Sequence, residues 1–261
     1  MRVAAHPFFE GKKMNPELFL REDETLEDLQ LNGLILLQKK NGFRFGMDSV
    51  LLADFAEIKS NDSVVDFGTG TGILPLLLIG RNKGKEFYGI EIQPDMAEMA
   101  ERTIQLNGLS DRFHLITGDA EAADQLIPAG KMDAIICNPP YGQPGASLSS
   151  PYEMVAISRN QKKDTLRNFF ISAFRILKGK GKFFMVYPAS QALFALRLLQ
   201  ESHLEPKKIR LVYPKAGKNA NLILIEAVKD AKPMLQILSP MIVYDKEQNL
   251  TNELKSVYHI K

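Results

Sequence analysis

Cysteine is almost missing from this chain. Among 261 residues there is one, Cys137, which excludes an intramolecular disulfide and a cysteine metal cage. The histidines are few and scattered. His6, His114, His203 and His259 have no ligand-like spacing, so no structural metal is expected. Long apolar runs are lacking: stretches such as "ILPLLLI" at 73–79 are far too short to span a bilayer. The opening "MRVAAHPFFEGKK" has no continuous apolar segment of the secretory kind. No internal repeat or low-complexity tract is visible. What is present is 45% hydrophobic residues, ample for a core. The length suits one large domain with a small appendage, or two small domains. A soluble, cytoplasmic protein with no membrane partner is the expectation.

The formal net charge is only +2 but is unevenly spread. Between Arg159 and Lys218 there are 14 Lys/Arg against 3 Asp/Glu, and elsewhere 19 against 28. This local +11 beside −9 suggests a polyanion facing one side of the molecule, or else a set of unrelated solvated faces.

From residue 63 onward, strand patterns alternate with helix patterns. "SVVDFG", "EFYGIEI", "FHLITGD", "MDAIICN" and "KFFMVYP" read as strands, and "DMAEMAERTIQLNG", "LRNFFISAFRILKGKG" and "SQALFALRLLQESH" as helices. "KKIRLVYP" and "NLILIEAVK" close the series with only a short turn between them. The order predicts an α/β fold: a doubly wound, mostly parallel sheet of seven strands whose last pair forms an antiparallel hairpin at one edge. Before it, "GLILLQKKNGFRFG" predicts a hairpin turning near Asn41–Gly42, and "MDSVLLADFAEI" a helix with one apolar face. Residues 1–30 show weak periodicity. Residues 1–59 are thus expected to form an N-terminal extension over the ligand site, and 60–261 the main domain.

The first strand of this series runs into "VVDFGTGTG", with Asp66 at its end and Gly68, Gly70 and Gly72 in the turn. Glycine lets backbone approach a ligand beyond the carboxyl ends of parallel strands. A nicotinamide fingerprint would need glycine at 73 or 75, where Ile73 and Pro75 stand, and the Gly-Lys-Ser/Thr of a phosphate-binding loop is absent. D-x-G-x-G-x-G after a first strand resembles the first motif of class I S-adenosylmethionine-dependent methyltransferases. That resemblance implies a Rossmann-like fold with S-adenosylmethionine as cofactor. It makes Glu91, at the end of the second strand, the acceptor for the ribose hydroxyls, and Asp119 in "TGDAEA" the acceptor for the adenine amine. The plainer roles are a turn acceptor for Asp66, a solvated carboxylate for Glu91, a helix cap for Asp119 and a small core residue for Cys137.

"NPPY" at 138–141 follows the fourth strand. In the methyltransferases it resembles, this corner meets the nitrogen to be methylated, which implies catalytic roles for Asn138, Pro139 and Tyr141. The types make chemical sense. Two carbonyls, from Asn138 and Pro139, accept the protons of an exocyclic amine, and Tyr141 offers a face for an extruded base. A turn amide and a lid over the core are the plainer roles. The same corner serves adenine, guanine and glutamine-amide methylation. "GLILLQKKNGFRFGMDSVLLADFA", "LVYPKAGKNANLILIEAVKDAK" and "PMIVYD" narrow the resemblance to the tRNA(Val) adenine N6-methyltransferase family. This implies a tRNA partner and places Phe45 and Asp48 beside the cofactor, against a hairpin-packing ring and a helix N-cap. Arg159, Lys162, Lys163, Lys215 and Lys218 are then the candidate RNA contacts. The segment "MVAISRNQKKDTL" departs from the His-Glu-containing stretch common in that family. The other readings are guanine or glutamine-amide methylation and a non-catalytic cofactor- or RNA-binding protein.

Overall fold

A computed structural model describes residues 15–41, 45–139 and 165–259. Its centre is a sheet of nine strands in the order β10-β8-β9-β7-β6-β3-β4-β5, with β11 also paired to β8. The strands are β3 (Ser63–Phe67), β4 (Glu86–Glu91), β5 (Phe113–Thr117), β6 (Met132–Cys137), β7 (Leu177–Pro188), β8 (Leu204–Lys215), β9 (Leu222–Lys229), β10 (Gln236–Ile237) and β11 (Met241–Tyr244). Only β9 runs against its neighbours, β7 and β8. The seven expected strands are present in doubly wound order. The closing pair, however, is not a simple edge hairpin. β9 is inserted between β7 and β8, and two short parallel strands extend the sheet beyond β8.

Alternation along the strands builds two apolar layers. Val64, Ala134, Ile136, Phe184 and Val186 face one layer. Val65, Phe67, Ile135, Cys137, Phe183 and Met185 face the other, as a period of two requires. The first layer is completed by helices α1 (Met47–Phe55), α2 (Ile73–Gly80) and α7 (Asn252–Val257). The second is covered by a short α4 (Ala123–Leu126), α5 (165–176) and α6 (Ala192–Glu201). In α2 the sequence ILPLLLIG is buried throughout. Pro75 is tolerated because it falls in the first turn, where backbone N–H groups have no intrahelical acceptor.

The N-terminal segment holds a hairpin that the sequence reading did not expect. Its strands are β1 (Glu24–Asp28) and β2 (Ile35–Lys39), paired antiparallel in a separate two-stranded sheet. The turn of this pair lies at 29–34, where Asn32 and Gly33 both take positive φ; the turn expected near Asn41–Gly42 runs into residues 42–44, which lie outside the described residues. The weakly periodic stretch before residue 30 therefore holds a strand. Tertiary contacts fix it. α3 (Pro94–Leu106) lies beneath, and the Asn107 side chain that follows it bonds both N–H and C=O of Ile35 like a neighbouring strand. The Arg102 guanidinium meets both oxygens of the buried Glu24 carboxylate at 2.7 Å, a fork-to-fork pair.

Helix α1 exists as expected but is not one-sided. Ser49, Val50, Leu51, Leu52 and Ala53 are consecutive and all buried. The helix is wedged among α2, β7 and β9, and its last carbonyls are held by Lys83, whose ammonium donates to Ala53, Asp54 and Ala56 at 2.8 Å each. Burial of Leu51 and Leu52 contributes about 1.5–3 kcal/mol apiece. A second difference concerns the glycines at 179 and 181. The helix expected to run to them ends at 176. β7 begins at Leu177 and carries a bulge, with Met132 opposite Leu177 and Ala134 opposite Lys182.

Candidate active site

All strands but β9 point their carboxyl ends to one edge of the sheet, and the candidate residues gather there. β3 delivers Asp66 and the glycine turn, β4 delivers Glu91, β5 leads to Asp119 and β6 ends at Asn138. β3 lies between β4 and β6, so the turn has Glu91 on one side and Asn138 on the other.

Within the turn each residue has a distinct task. Gly68 has φ +70°, and a Cβ built there meets nothing within 4 Å. It is the position at which backbone is open to a ligand. Gly72 has φ +87°, and a Cβ there would press on the Phe113 ring at 3.0 Å. Its bareness serves packing at the start of α2. The Gly70 N–H donates to Glu91 Oε2 at 2.8 Å, and the Gln93 N–H to Glu91 Oε1 at 2.9 Å. Glu91 is buried, not a solvated side chain. It ties β4 to the turn with one lone pair of each oxygen, and a carboxylate has roughly two per oxygen. The remaining acceptor capacity suits two vicinal hydroxyls. Ile92, the next residue, is 60% exposed, an apolar flank beside that acceptor.

Asp66 is buried and accepts from Thr69 Oγ1 at 2.7 Å on Oδ2, while Oδ1 is buried with no partner among the described residues. Burial pushes its carboxyl up to about 7; the Thr69 bond works against this, and the nearby Glu91 charge adds to it. Asp119 is exposed and caps a short 3-10 turn by accepting from the Glu121 N–H at 2.8 Å. The capping role is thus observed, and it occupies only Oδ1. Cys137 is a buried core residue whose thiol is driven well up by burial.

The period-two pattern turns Asn138 to the same face as Ala134 and Ile136, toward α1. There its Nδ2 donates to Ser49 Oγ at 3.0 Å. Pro139 is buried. Tyr141, Arg159, Lys162 and Lys163 lie outside the described residues. Phe45 is half-buried and packs against the first core layer. Asp48 is not the N-cap of α1; that position is Gly46, and Asp48 Oδ1 accepts from the adjoining Ser49 N–H at 3.0 Å. Ser49, Thr69 and Ile92 were not legible as site residues. A serine beside the apolar run Val50–Ala53 was the only signal for Ser49.

The basic segment is dispersed by folding. Arg167, Arg175, Lys178 and Lys208 form ion pairs at 2.6 Å with Glu201, Asp124, Asp133 and Glu57. Arg210 pairs with Glu253. Lys178, Lys180 and Lys182 stand at the amino end of β7, the edge opposite the glycine turn. Lys215 and Lys218, at the end of β8 and in the turn after it, are on the carboxyl edge and make no ion pair among the described residues. Three strand spacings separate β8 from β6, roughly 14 Å. No helix among the described residues is long and apolar enough to cross a membrane.

Residues 58–252 match the family model described as "Methyltransferase domain". Curated relatives named tRNA1(Val) (adenine(37)-N6)-methyltransferase include one from Porphyromonas gingivalis, 30% identical over 64% of this chain and 72% of its own length. Another, from Haemophilus influenzae, is 26% identical over 86% of this chain and 94% of its own length. Among solved structures, a predicted O-methyltransferase from Agrobacterium tumefaciens superposes with a TM-score of 0.65 at 20% identity, covering 82% of this chain and 96% of that one. TYW2 of Pyrococcus horikoshii, solved with MeSAdo, gives 0.55 at 18% identity, over 81% and 73%. The open backbone at Gly68 and the spare acceptors of Glu91 fit S-adenosylmethionine. The chain belongs to the methyltransferase domain family, as an S-adenosylmethionine-dependent methyltransferase.

Proposed function

We propose that the protein methylates the exocyclic N6 amine of adenine in tRNA, with the anticodon-loop adenine of tRNA(Val) as its target. The observation that carries this reading is the position of Asn138, an amide at the end of β6 one strand away from the glycine turn. Relatives named for that reaction support the choice of substrate.

Asp66, Gly68, Gly70, Gly72, Glu91 and Asp119 would hold S-adenosylmethionine, which supplies an electrophilic methyl group. Glu91 would accept from the ribose, Asp119 from the adenine amine, and Ile92 would flank the ring. The lone pair of the substrate's exocyclic amine is delocalised into its base. The Asn138 and Pro139 carbonyls would accept its two protons, which orients the nitrogen and favours positive charge as it attacks. Tyr141 would stack on the extruded base, worth about 1–3 kcal/mol. An anticodon-loop base is already unpaired, so its extrusion costs less than opening a duplex.

Residues 1–59 would cover the cofactor edge, with α1 against the catalytic corner. Lys215 and Lys218, with Arg159, Lys162 and Lys163, would meet RNA phosphates. The deciding assay is transfer of labelled methyl to tRNA lacking the modification, followed by nucleoside analysis. N6-methyladenosine is the expected product. Label in guanine or in a protein glutamine, with none in adenine, would overturn the substrate.

A further inference from the structure

We infer that Ser49 is a positioning residue: its buried hydroxyl, accepting from Nδ2, helps to anchor the Asn138 amide in the orientation seen, which makes helix α1 part of the catalytic apparatus. This rests on the reading of Asn138 as the group that orients the substrate amine. The terminal torsion of an asparagine is broad and roughly two-fold. Turning it by half a revolution exchanges carbonyl and NH2 in nearly the same space. For a substrate amine the two states are opposites. One offers an acceptor, and the other sets donors against donors.

The structure places the Nδ2 side of Asn138 3.0 Å from Ser49 Oγ. This points the carbonyl side away from α1. Ser49 is 2% exposed and lies in the first turn of α1. Its backbone N–H is occupied by Asp48 Oδ1. The helix that carries it is buried from Ser49 to Ala53 and held at its far end by the Lys83 ammonium. The hydroxyl is therefore fixed before substrate arrives, and a supporting group already in place costs no reorganisation during reaction. Serine is not a residue that an apolar core helix needs there; alanine has higher helix propensity and leaves no polar group to satisfy. A contact to the reacting corner accounts for its presence.

The test compares Ser49→Thr with Ser49→Val, side chains of nearly equal shape that differ in the hydroxyl. With unmodified tRNA(Val) transcript and labelled S-adenosylmethionine, single-turnover rate, KM for tRNA and cofactor Kd are measured. Ser49→Val is expected to lose about 3- to 10-fold in rate, the equivalent of one neutral hydrogen bond. Its KM and cofactor Kd should stay within about twofold, and Ser49→Thr should keep most of the rate. In an Asn138→Ala background the valine should cost nothing further, because the amide that Ser49 helps to anchor is gone. Equal rates for the Thr and Val variants would overturn the inference, as would losses that multiply in the double variant. Should the larger side chains fail to fold, Ser49→Ala alone and with Asn138→Ala provides the same cycle. An Asn138→Ala enzyme with undiminished rate would be a different failure, removing the reading of Asn138 itself.

Discussion

Replacing Glu91 separates two tasks that the fold assigns to one side chain. Its oxygens accept from the N–H groups of Gly70 and Gln93 at 2.8 and 2.9 Å, in a site where the residue is 4% exposed. Hydrogen bonds to a charged group contribute about 1.5–3 kcal/mol each. Glu91→Gln keeps the shape but has one carbonyl for two facing donors. One bond loses its charge assistance and the other becomes N–H against NH2. A loss of roughly 2–4 kcal/mol follows for the ligand-free protein, a large share of the about 5–15 kcal/mol that stabilises a typical domain. Glu91→Ala would lose both bonds and leave two backbone donors bare, so the glutamine variant is the cleaner one. Cofactor affinity should fall as well, by about 1–3 kcal/mol for a lost charged acceptor, or about 5- to 150-fold in Kd. Urea unfolding of the ligand-free protein and calorimetric titration with S-adenosylmethionine read the two effects independently. An unchanged urea midpoint would refute the claim that Glu91 holds the glycine turn. A shifted midpoint with unchanged affinity would refute its ribose role.

Three further outcomes are expected. Asp66 has its carboxyl pushed up to about 7 by burial, above the unfolded value of about 3.9. The folded state then binds the extra proton, so this group's contribution is full below about pH 4 and is lost as pH rises through about 7, on the order of 4 kcal/mol. Asp66→Asn should remove that slope, and parallel urea midpoints for both proteins from pH 4 to 7 would contradict it. Asn138→Ala should cut the single-turnover rate about 100- to 1000-fold with cofactor affinity nearly intact; loss of cofactor binding in calorimetry would instead make the corner structural. Charge reversal at Lys215 and Lys218 should weaken tRNA binding and flatten its salt dependence by about 0.7 per lost contact in log affinity against log salt. An unaltered slope in filter binding would move the RNA surface elsewhere.

The order of strands and helices, the glycine turn and the amide corner are local signals, and each was readable along the chain. Local preference sets them: short apolar, β-branched-rich runs make the strands of 63–67 and 132–137, and glycine permits the positive φ that the turn takes at Gly68 and Gly72. The family resemblance carried the cofactor and reaction for the same reason, since its motifs are contiguous. Contacts between distant segments were not readable. The hairpin of β1 and β2 is one case, since Asn107 and Arg102, far along the chain, hold its strands in place. The basic run looked like one surface, but adjacent residues in a strand face opposite sides and its two ends reach opposite edges. Lys178 and Lys215 therefore finish at different ends of the sheet. The bond from Asn138 to Ser49 spans 89 residues. Only the parallel sheet, which brings the end of β6 beside α1, puts that hydroxyl and that amide together.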